Sequence, residues 1–207
     1  MFKKMKKMKE IIKNSKGFTL IELLVVIAII AVLAVAVILT LNPAELLKQA
    51  RDSTRVSDMS TMKSAMSLYL ADVATPTQSS TCALSVAFSA GSITTCGNRY
   101  TISNTLVSSS QSGNFSINGT GWIPVDFTAI SSGAPIGNLP RDPSNASTTA
   151  PLYYSYVGSS TSLVFELAAK MESSKYSKSG GSDVESTDGG GGPVSSTIFQ
   201  VGTNLAL

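Results

Sequence analysis

The amino-acid sequence predicts an α+β fold in which one long, kinked N-terminal helix packs on a small antiparallel β-sheet. Two observations carry this prediction. Apolar residues are concentrated between Phe18 and Leu41, and helical periodicity resumes from Ala44 to Asp72. After Pro76 the sequence changes to short β-type runs separated by Ser, Thr, Gly and Asn. Strands that follow one long helix favour a sheet that covers the apolar side of that helix.

The 207-residue chain separates by charge into a short basic leader and a mildly acidic body. Residues 1–16 contain seven lysines and one acid, Glu10, which is a net charge of +6. The remaining nine bases and twelve acids give −3, and the two parts sum to the +3 of the whole chain. Because the bases of the body are scattered among acidic neighbours, nucleic acid is not an expected partner. The absence of histidine excludes His-based triads and His metal ligands.

The apolar block has the length of a membrane span. Leu23 to Leu39 is an unbroken apolar run of 17 residues. As a helix, residues 18–41 would rise about 36 Å, which exceeds the roughly 30 Å of a hydrocarbon core. A buried core helix is the alternative, but such helices are usually shorter and amphipathic. The lysines on the N-terminal side place that end in the cytoplasm and the rest of the chain outside.

Gly17 and Glu22 stand out at the start of this block. A secretory cleavage site would follow the apolar run, whereas Gly17 precedes it, so that a cut there removes the leader and leaves the helix on the product. Glu22 is an acid in a segment where a central carboxylate costs about 2.5–3.5 kcal/mol. Snorkelling is one explanation. The other is pairing with a new α-amine on Phe18, in the same chain or in a neighbour, and staggered pairing between copies would build a filament.

The run Lys16-Gly17-Phe18-Thr19-Leu20-Ile21-Glu22-Leu23-Leu24-Val25-Val26 resembles the class III signal of type IV pilins and type II secretion pseudopilins. The resemblance implies that a prepilin peptidase removes residues 1–17 and that Phe18 is then N-methylated. It also implies that Glu22 serves subunit recruitment and assembly. A pilin-like fold, self-association into a helical filament, and an inner-membrane assembly platform with its ATPase as partners follow from the same resemblance.

On this basis the precursor is a single-pass protein of the inner (cytoplasmic) membrane with its N-terminus in the cytoplasm. The assembled subunit is expected in a periplasmic or cell-surface filament. The leading hypothesis is a structural subunit of a type IV pilus or pilus-like filament. The alternatives are a pseudopilin of a type II secretion system, a minor or tip adhesin, and a DNA-uptake pilin. An enzyme is not expected, because no convergent nucleophile, base or metal motif stands out.

Beyond the transmembrane half at residues 18–41, residues 42–75 are predicted to continue the helix in amphipathic form after a bend at Asn42-Pro43. One apolar stripe is expected to pack on the sheet rather than form an open binding groove. It consists of Met59, Met62, Met66, Tyr69 and Val73. The charged residues of the same segment are expected on other faces as a solvated surface of mixed sign. They are Arg51, Asp52, Arg55, Asp58 and Lys63.

Residues 76–207 are expected to form an extracytoplasmic, β-rich head. The predicted strands are Trp122–Phe127, Leu152–Val157, Leu163–Ala168 and Ile198–Val201. Cys82 and Cys96 enclose 13 residues, and an extracytoplasmic location permits a disulfide between them. Two free thiols or a reactive pair are the alternatives.

Residues 173–192 are predicted to form a flexible polar loop. Asp183, Glu185 and Asp188 in this loop could supply oxygen ligands for calcium, but the spacing of an EF-hand is missing. A solvated linker is therefore favoured over a calcium site, and no other cofactor is expected.

Overall fold

The computed structural model describes residues 17–80, 82–85, 109–111, 113–144, 152–185 and 198–205. The predicted leader lies outside these residues except for Gly17, as do Cys96 and Asp188. The chain divides into two compact units, Met1–Pro43 and Ala44–Leu207.

The described part of the first unit is dominated by helix α1, which spans Leu20–Leu41. Large apolar side chains along α1 are exposed, from Leu20 at 82% to Leu41 at 56%. The segment Leu20–Ile38 is long and apolar enough to cross a membrane, and none of it is buried. A helix that is apolar on all sides requires lipid or other chains around it. The membrane-length helix predicted from the sequence is therefore present.

The predicted bend at Asn42-Pro43 is a complete interruption. Helix α1 ends at Leu41, and its C-cap residue Asn42 has the left-handed backbone conformation with φ of 41° and ψ of 74°. Helix α2 then begins at Pro43 and runs to Asp72. A residue that precedes proline is disfavoured in the right-handed helical region, and proline is well suited to the first position of a helix. The sequence Asn-Pro therefore ends one helix and begins the next.

The apolar stripe of α2 is buried, as predicted. The exposed fraction is 0% for Met59 and Met66, 1% for Met62 and 2% for Tyr69, while Val73 is half-buried. The 3-4-3-4 spacing places these side chains on one face of the helix, where they join the core of the head.

The sheet has five strands in the order β2-β1-β3-β4-β5. These strands are β1 (Cys82–Leu84), β2 (Ser109–Gln111), β3 (Ser155–Ser159), β4 (Val164–Ala169) and β5 (Phe199–Gly202). Strands β1, β3, β4 and β5 are neighbours in this order, and each pairs antiparallel with the next. Strand β2 lies at the edge of the sheet and pairs in parallel with β1. Strands β3 and β4 form a hairpin in which Ser155 faces Ala168 and Ser159 faces Val164.

The core lies between one face of the sheet and the stripe of α2. Alternate strand residues enter it, including Tyr154 and Tyr156 before and in β3 and Phe165 and Leu167 in β4. This alternation is the period of two that a strand requires. Three of the predicted strands correspond to β3, β4 and β5 with small shifts in their bounds.

The predicted strand Trp122–Phe127 is wrong. This segment is an irregular stretch that leads into a short 3-10 helix at Phe127–Ala129. Pro124 lies in its middle and has no N–H to donate to a strand ladder. Four apolar side chains of the segment are nevertheless buried at 1% exposure or less and fill the core. They are Trp122, Ile123, Val125 and Phe127.

In the described part of the predicted flexible loop, residues 173–185, two carboxylates accept hydrogen bonds from the backbone. Glu185 is 3% exposed and accepts hydrogen bonds from the backbone N–H groups of Met171 and Lys178, both at 3.0 Å. Asp183 accepts from the N–H of Ser179 at 2.7 Å and of Glu185 at 3.0 Å. These two acids therefore hold backbone turns in place. Within the described ranges, no group of three His, Cys, Asp or Glu side chains is arranged to hold a metal ion.

Candidate functional site

The predicted cleavage site lies in exposed, non-helical backbone directly before α1. Residues 17–19 have no regular secondary structure, and Phe18 is 87% exposed. A Cβ atom added to Gly17 would meet nothing within 4 Å. The fold of this chain therefore does not require glycine at position 17, and any requirement for it comes from a molecule that binds there.

Thr19 and Glu22 form a reciprocal cap at the start of α1. The Thr19 side-chain oxygen accepts a hydrogen bond from the N–H of Glu22 at 3.2 Å. Glu22 Oε2 in turn accepts from the N–H of Thr19 at 2.9 Å and from its hydroxyl at 2.7 Å. This arrangement is a capping box, which satisfies donors that the first turn of a helix leaves without intrahelical partners.

The cap leaves the two carboxylate oxygens of Glu22 in different environments. Its Oε2 atom receives both hydrogen bonds from Thr19, whereas Oε1 receives none from the described part of the chain. The carboxylate is thus held in a fixed position at the start of the helix, with one oxygen directed to a donor of its own chain and the other open to a donor from elsewhere.

Thr19 is a site residue that the sequence reasoning missed. The signal was present, because Thr-x-x-Glu at the start of an apolar run is the pattern of a capping box.

Comparison with known proteins agrees with this site. The family model described as the prokaryotic N-terminal methylation motif matches residues 12–38, which include Gly17, Phe18, Glu22 and most of α1. The chain carries the N-terminal methylation motif of the type IV pilin-like family. None of the curated proteins compared with the chain matches it. No solved structure matches it either.

The described residues have the N-terminal apolar helix, the second helix and the small, mainly antiparallel sheet that an α+β pilin-like fold predicts. The match covers the region around Gly17 and most of α1, and it is typical of structural rather than enzymatic proteins. In general the motif implies processing by a prepilin peptidase and assembly into filaments.

A second polar cluster, which the sequence did not predict, fixes α2 to the rest of the head. Arg55 is completely buried, and its Nε and Nη2 atoms donate to the two oxygens of Asp142 at 2.8 and 2.9 Å. Its Nη1 atom donates to Asp52 at 2.7 Å. Nη2 also donates to Ser144 and forms a short ion pair with Glu172. One guanidinium thus joins α2, residues 142–144 and residue 172.

Asp52 completes the attachment from the other side. Its carboxylate accepts from the backbone N–H of Glu172 at 3.0 Å, and from the N–H and hydroxyl of Ser173 at 2.7 and 2.6 Å. About two turns earlier in α2, Glu45 accepts in the same manner from the N–H and hydroxyl of Ser174 at 2.6 and 2.7 Å. The segment 172–174 is therefore hydrogen-bonded along the first half of α2.

Burial and hydrogen bonding oppose each other at Glu172. Burial would raise the pKa of this carboxyl, but hydrogen bonds from Arg51, Ser144 and Arg55 lower the pKa to about 2, against an ordinary value of 4.5. At Asp58 burial prevails and raises the pKa, even though the Tyr154 hydroxyl donates to the carboxylate at 2.6 Å. Protonation at low pH therefore destabilises the fold at Glu172 and stabilises it at Asp58.

The prediction that the charged residues of α2 form a solvated surface is wrong for the central ones. Asp52 and Arg55 are 0% exposed, and Asp58 is half-buried. Arg51 is partly exposed and pairs with Glu172, and Lys63 lies in solvent as expected. A charge can be buried when it is paired and fully hydrogen-bonded, and Arg55 meets this condition through partners that are remote in the sequence.

Of the two cysteines of the predicted disulfide, the described residues include Cys82. Cys82 is fully buried in β1 and is disulfide-bonded. Its predicted partner Cys96 lies outside the described residues, so the pairing of these two cysteines stays a prediction. The same holds for the candidate calcium ligand Asp188, whereas Asp183 and Glu185 hold backbone N–H groups.

Substitution of Arg55 by Met should destabilise the chain by about 3–5 kcal/mol, because Asp52 and Asp142 would remain buried without their cation. Urea unfolding of the detergent-solubilised chain, followed by the fluorescence of Trp122, measures the loss. Lys63→Met on the exposed side of α2 is the matched control and should change the free energy of unfolding by no more than about 0.5 kcal/mol. Equal effects of the two substitutions would contradict a special role of Arg55.

The low pKa of Glu172 predicts a defined acid dependence. Because its folded-state pKa of about 2 lies below the ordinary 4.5, Glu172 stabilises the fold above about pH 4.5, and this contribution is lost as the pH falls toward 2. The difference in free energy of unfolding between wild type and Glu172→Gln should be constant near neutrality and shrink between pH 4.5 and 2. For Glu185→Gln we expect the opposite sign: the wild type should gain stability relative to the variant as the pH falls toward 4.5, because burial raises the pKa of Glu185. A difference for Glu172→Gln that does not change with pH would contradict the assignment.

Proposed function

We propose that the protein is the structural subunit of a type IV pilus or pilus-like filament. Its precursor is cleaved by a prepilin peptidase between Gly17 and Phe18, Phe18 is N-methylated, and subunits assemble by packing of α1. The proposal covers pili and secretion pseudopili alike, because both use this N-terminal machinery. The chemistry of processing and assembly belongs to the peptidase and the assembly ATPase rather than to this chain.

The observation that carries the proposal is the juxtaposition of the matched signal with an uncovered apolar helix. The methylation motif covers residues 12–38, and the side chains of α1 in this range are exposed to solvent. Apolar surface of this extent is stable only in lipid or against other apolar chains. A membrane before assembly and neighbouring copies of α1 afterwards supply the two environments in turn.

The position of Glu22 supports a role in subunit pairing. In the proposed product Phe18 bears a cationic amine, and Glu22 Oε1 accepts no hydrogen bond from the described part of the chain. An amine of a neighbouring subunit can bind there while Thr19 continues to hold Oε2. A carboxylate within the hydrocarbon region requires such a partner, and the contact between unlike ends of two copies repeats without closing.

The membrane topology follows from the leader. Its charge of +6 keeps residues 1–17 in the cytoplasm, so that the peptidase acts there and the head lies on the opposite side. On this proposal residues 18–41 form the membrane or filament-core helix, 42–75 its amphipathic continuation, and 76–207 the extracytoplasmic head.

Gly17→Ala should block removal of the leader. Because a Cβ atom at Gly17 meets nothing within 4 Å, the substitution does not disturb the chain itself, and a defect in cleavage reports recognition by the peptidase. Mass spectrometry of membrane-bound protein should show a precursor longer by residues 1–17. Gly137→Ala in the head is the matched control, since its Cβ atom also meets nothing within 4 Å, and it should be processed normally. Normal cleavage of Gly17→Ala would argue against the proposed site.

Glu22→Ala and Glu22→Gln separate the charge of the carboxylate from its role as a helix cap. Glutamine at this position can still complete a capping box but carries no charge, whereas alanine removes both. If the charge pairs with a neighbouring amine, both variants should be cleaved and methylated at Phe18, yet neither should enter filaments. Electron microscopy and the protein content of sheared filaments measure the result. Wild-type amounts of filament from Glu22→Gln would refute the charge pairing.

A further inference from the structure

The tip of the β3–β4 hairpin combines two unfavourable features in one residue. Leu163 has a φ of 53°, in the left-handed region that is rare for residues other than Gly, Asn and Asp. It is also among the exposed large apolar residues of the head, at 39%. The N–H of Leu163 donates to the carbonyl of Ser159 at 2.9 Å, which holds the strained conformation. Glycine or asparagine would suit this turn position better, so the leucine is not explained by the fold of the hairpin.

An apolar groove lies elsewhere on the same unit, between the outer side of α2 and the loop that follows the 3-10 helix. It has a volume of about 320 Å³ and no charged residue in its lining. The hydroxyls of Thr61 and Ser64 in the lining donate to helix carbonyls at 2.9 and 3.0 Å, so covering them leaves no donor without a partner. The lining residues are Ser60, Thr61, Ser64, Ala65, Leu68, Pro135 and Ile136.

The volume of the groove and its lack of charge indicate which kind of segment can occupy it. The volume of the groove lies at the lower end of ligand pockets, roughly 300–1,000 Å³, and gives room for one or two side chains. A single apolar side chain on a turn is of this size. The hairpin tip from Ser159 to Val164 has no charged residue, so it brings no charge that the uncharged groove would leave unpaired. The chain itself therefore supplies an apolar side chain on a segment without charge.

We infer that Leu163 of one subunit inserts into the groove beside Ser64 and Leu68 of the next subunit. The inference rests on the proposed filament function and names a contact between heads in addition to the packing of α1. In a filament the tip of each head meets the groove of the next head, so the contact is heterologous and adds subunits without closing a dimer. The small groove gives a weak contact, which becomes effective only when α1 already holds the heads close together.

Cysteine crosslinking of full-length chains in assembled filaments tests this contact directly. A Ser64→Cys, Leu163→Cys double variant should form disulfide-linked dimers and longer multimers under mild oxidation, seen as a ladder on non-reducing gels. The matched control pairs Leu163→Cys with Ser53→Cys, an exposed serine of α2 outside the groove lining. This control and the single variants should give no ladder. Wild-type-like filaments without a ladder from the Ser64 pair would overturn the inference.

A charge placed in the groove provides an independent measurement. Ser64 is exposed and lies within a helix, so Ser64→Glu should fold normally, but its carboxylate would face the neighbour's leucine. We expect the subunit level needed for filaments to rise about tenfold, as for the loss of one buried leucine contact. Ser53→Glu should leave this level unchanged. An unchanged level for Ser64→Glu overturns the groove contact alone, whereas absence of filaments from the wild-type chain would overturn the proposed function and the inference with it.

Discussion

The buried guanidinium of Arg55 is the interaction on which the arrangement of the head depends. A cation that has lost all contact with water is tolerated only where carboxylates and hydroxyls surround it. Asp52 of the same helix and the remote residues Asp142 and Glu172 meet this demand. The segments that carry Asp142 and Glu172 are thereby fixed to α2 with the geometry of a hydrogen bond, which is narrower than that of an apolar contact. The turn at residue 142 then positions Pro140, whose carbonyl accepts the indole N–H of Trp122 at 3.3 Å.

Helix α2 is consequently attached in two different ways along its length. Its first half is held by carboxylates and guanidinium groups, from Glu45 to Arg55, and its second half by the apolar stripe from Met59 to Tyr69. Because the central charges turn inward, the outer side is left with small hydroxyl residues, Lys63 and the exposed Leu68. The residues of α2 that line the groove are uncharged.

Local patterns in the sequence predicted α1, the apolar stripe and strands β3 to β5, since each depends on periodicity within a few turns or a few residues. The burial of Arg55 depends on Asp142, 87 residues away, and no local pattern reports such a pair. Charge spacing alone therefore indicated a solvated surface. Trp122–Phe127 has the composition of a strand, but its apolar residues fill the core from an irregular backbone. The N-terminal site could be predicted, because Gly17, Phe18 and Glu22 form a motif within six residues. The Thr19 cap could be predicted in the same way from the Thr-x-x-Glu pattern.

The cap between Thr19 and Glu22 has a consequence for the passage of the helix out of water. A carboxylate that moves into hydrocarbon must give up its hydration shell, and this desolvation opposes insertion. Here two donors of the chain itself already take the place of water molecules at Oε2. Part of the dehydration is thus completed while the helix is still in an aqueous environment. The N–H and hydroxyl of Thr19 thereby lower the desolvation cost of moving Glu22 into hydrocarbon.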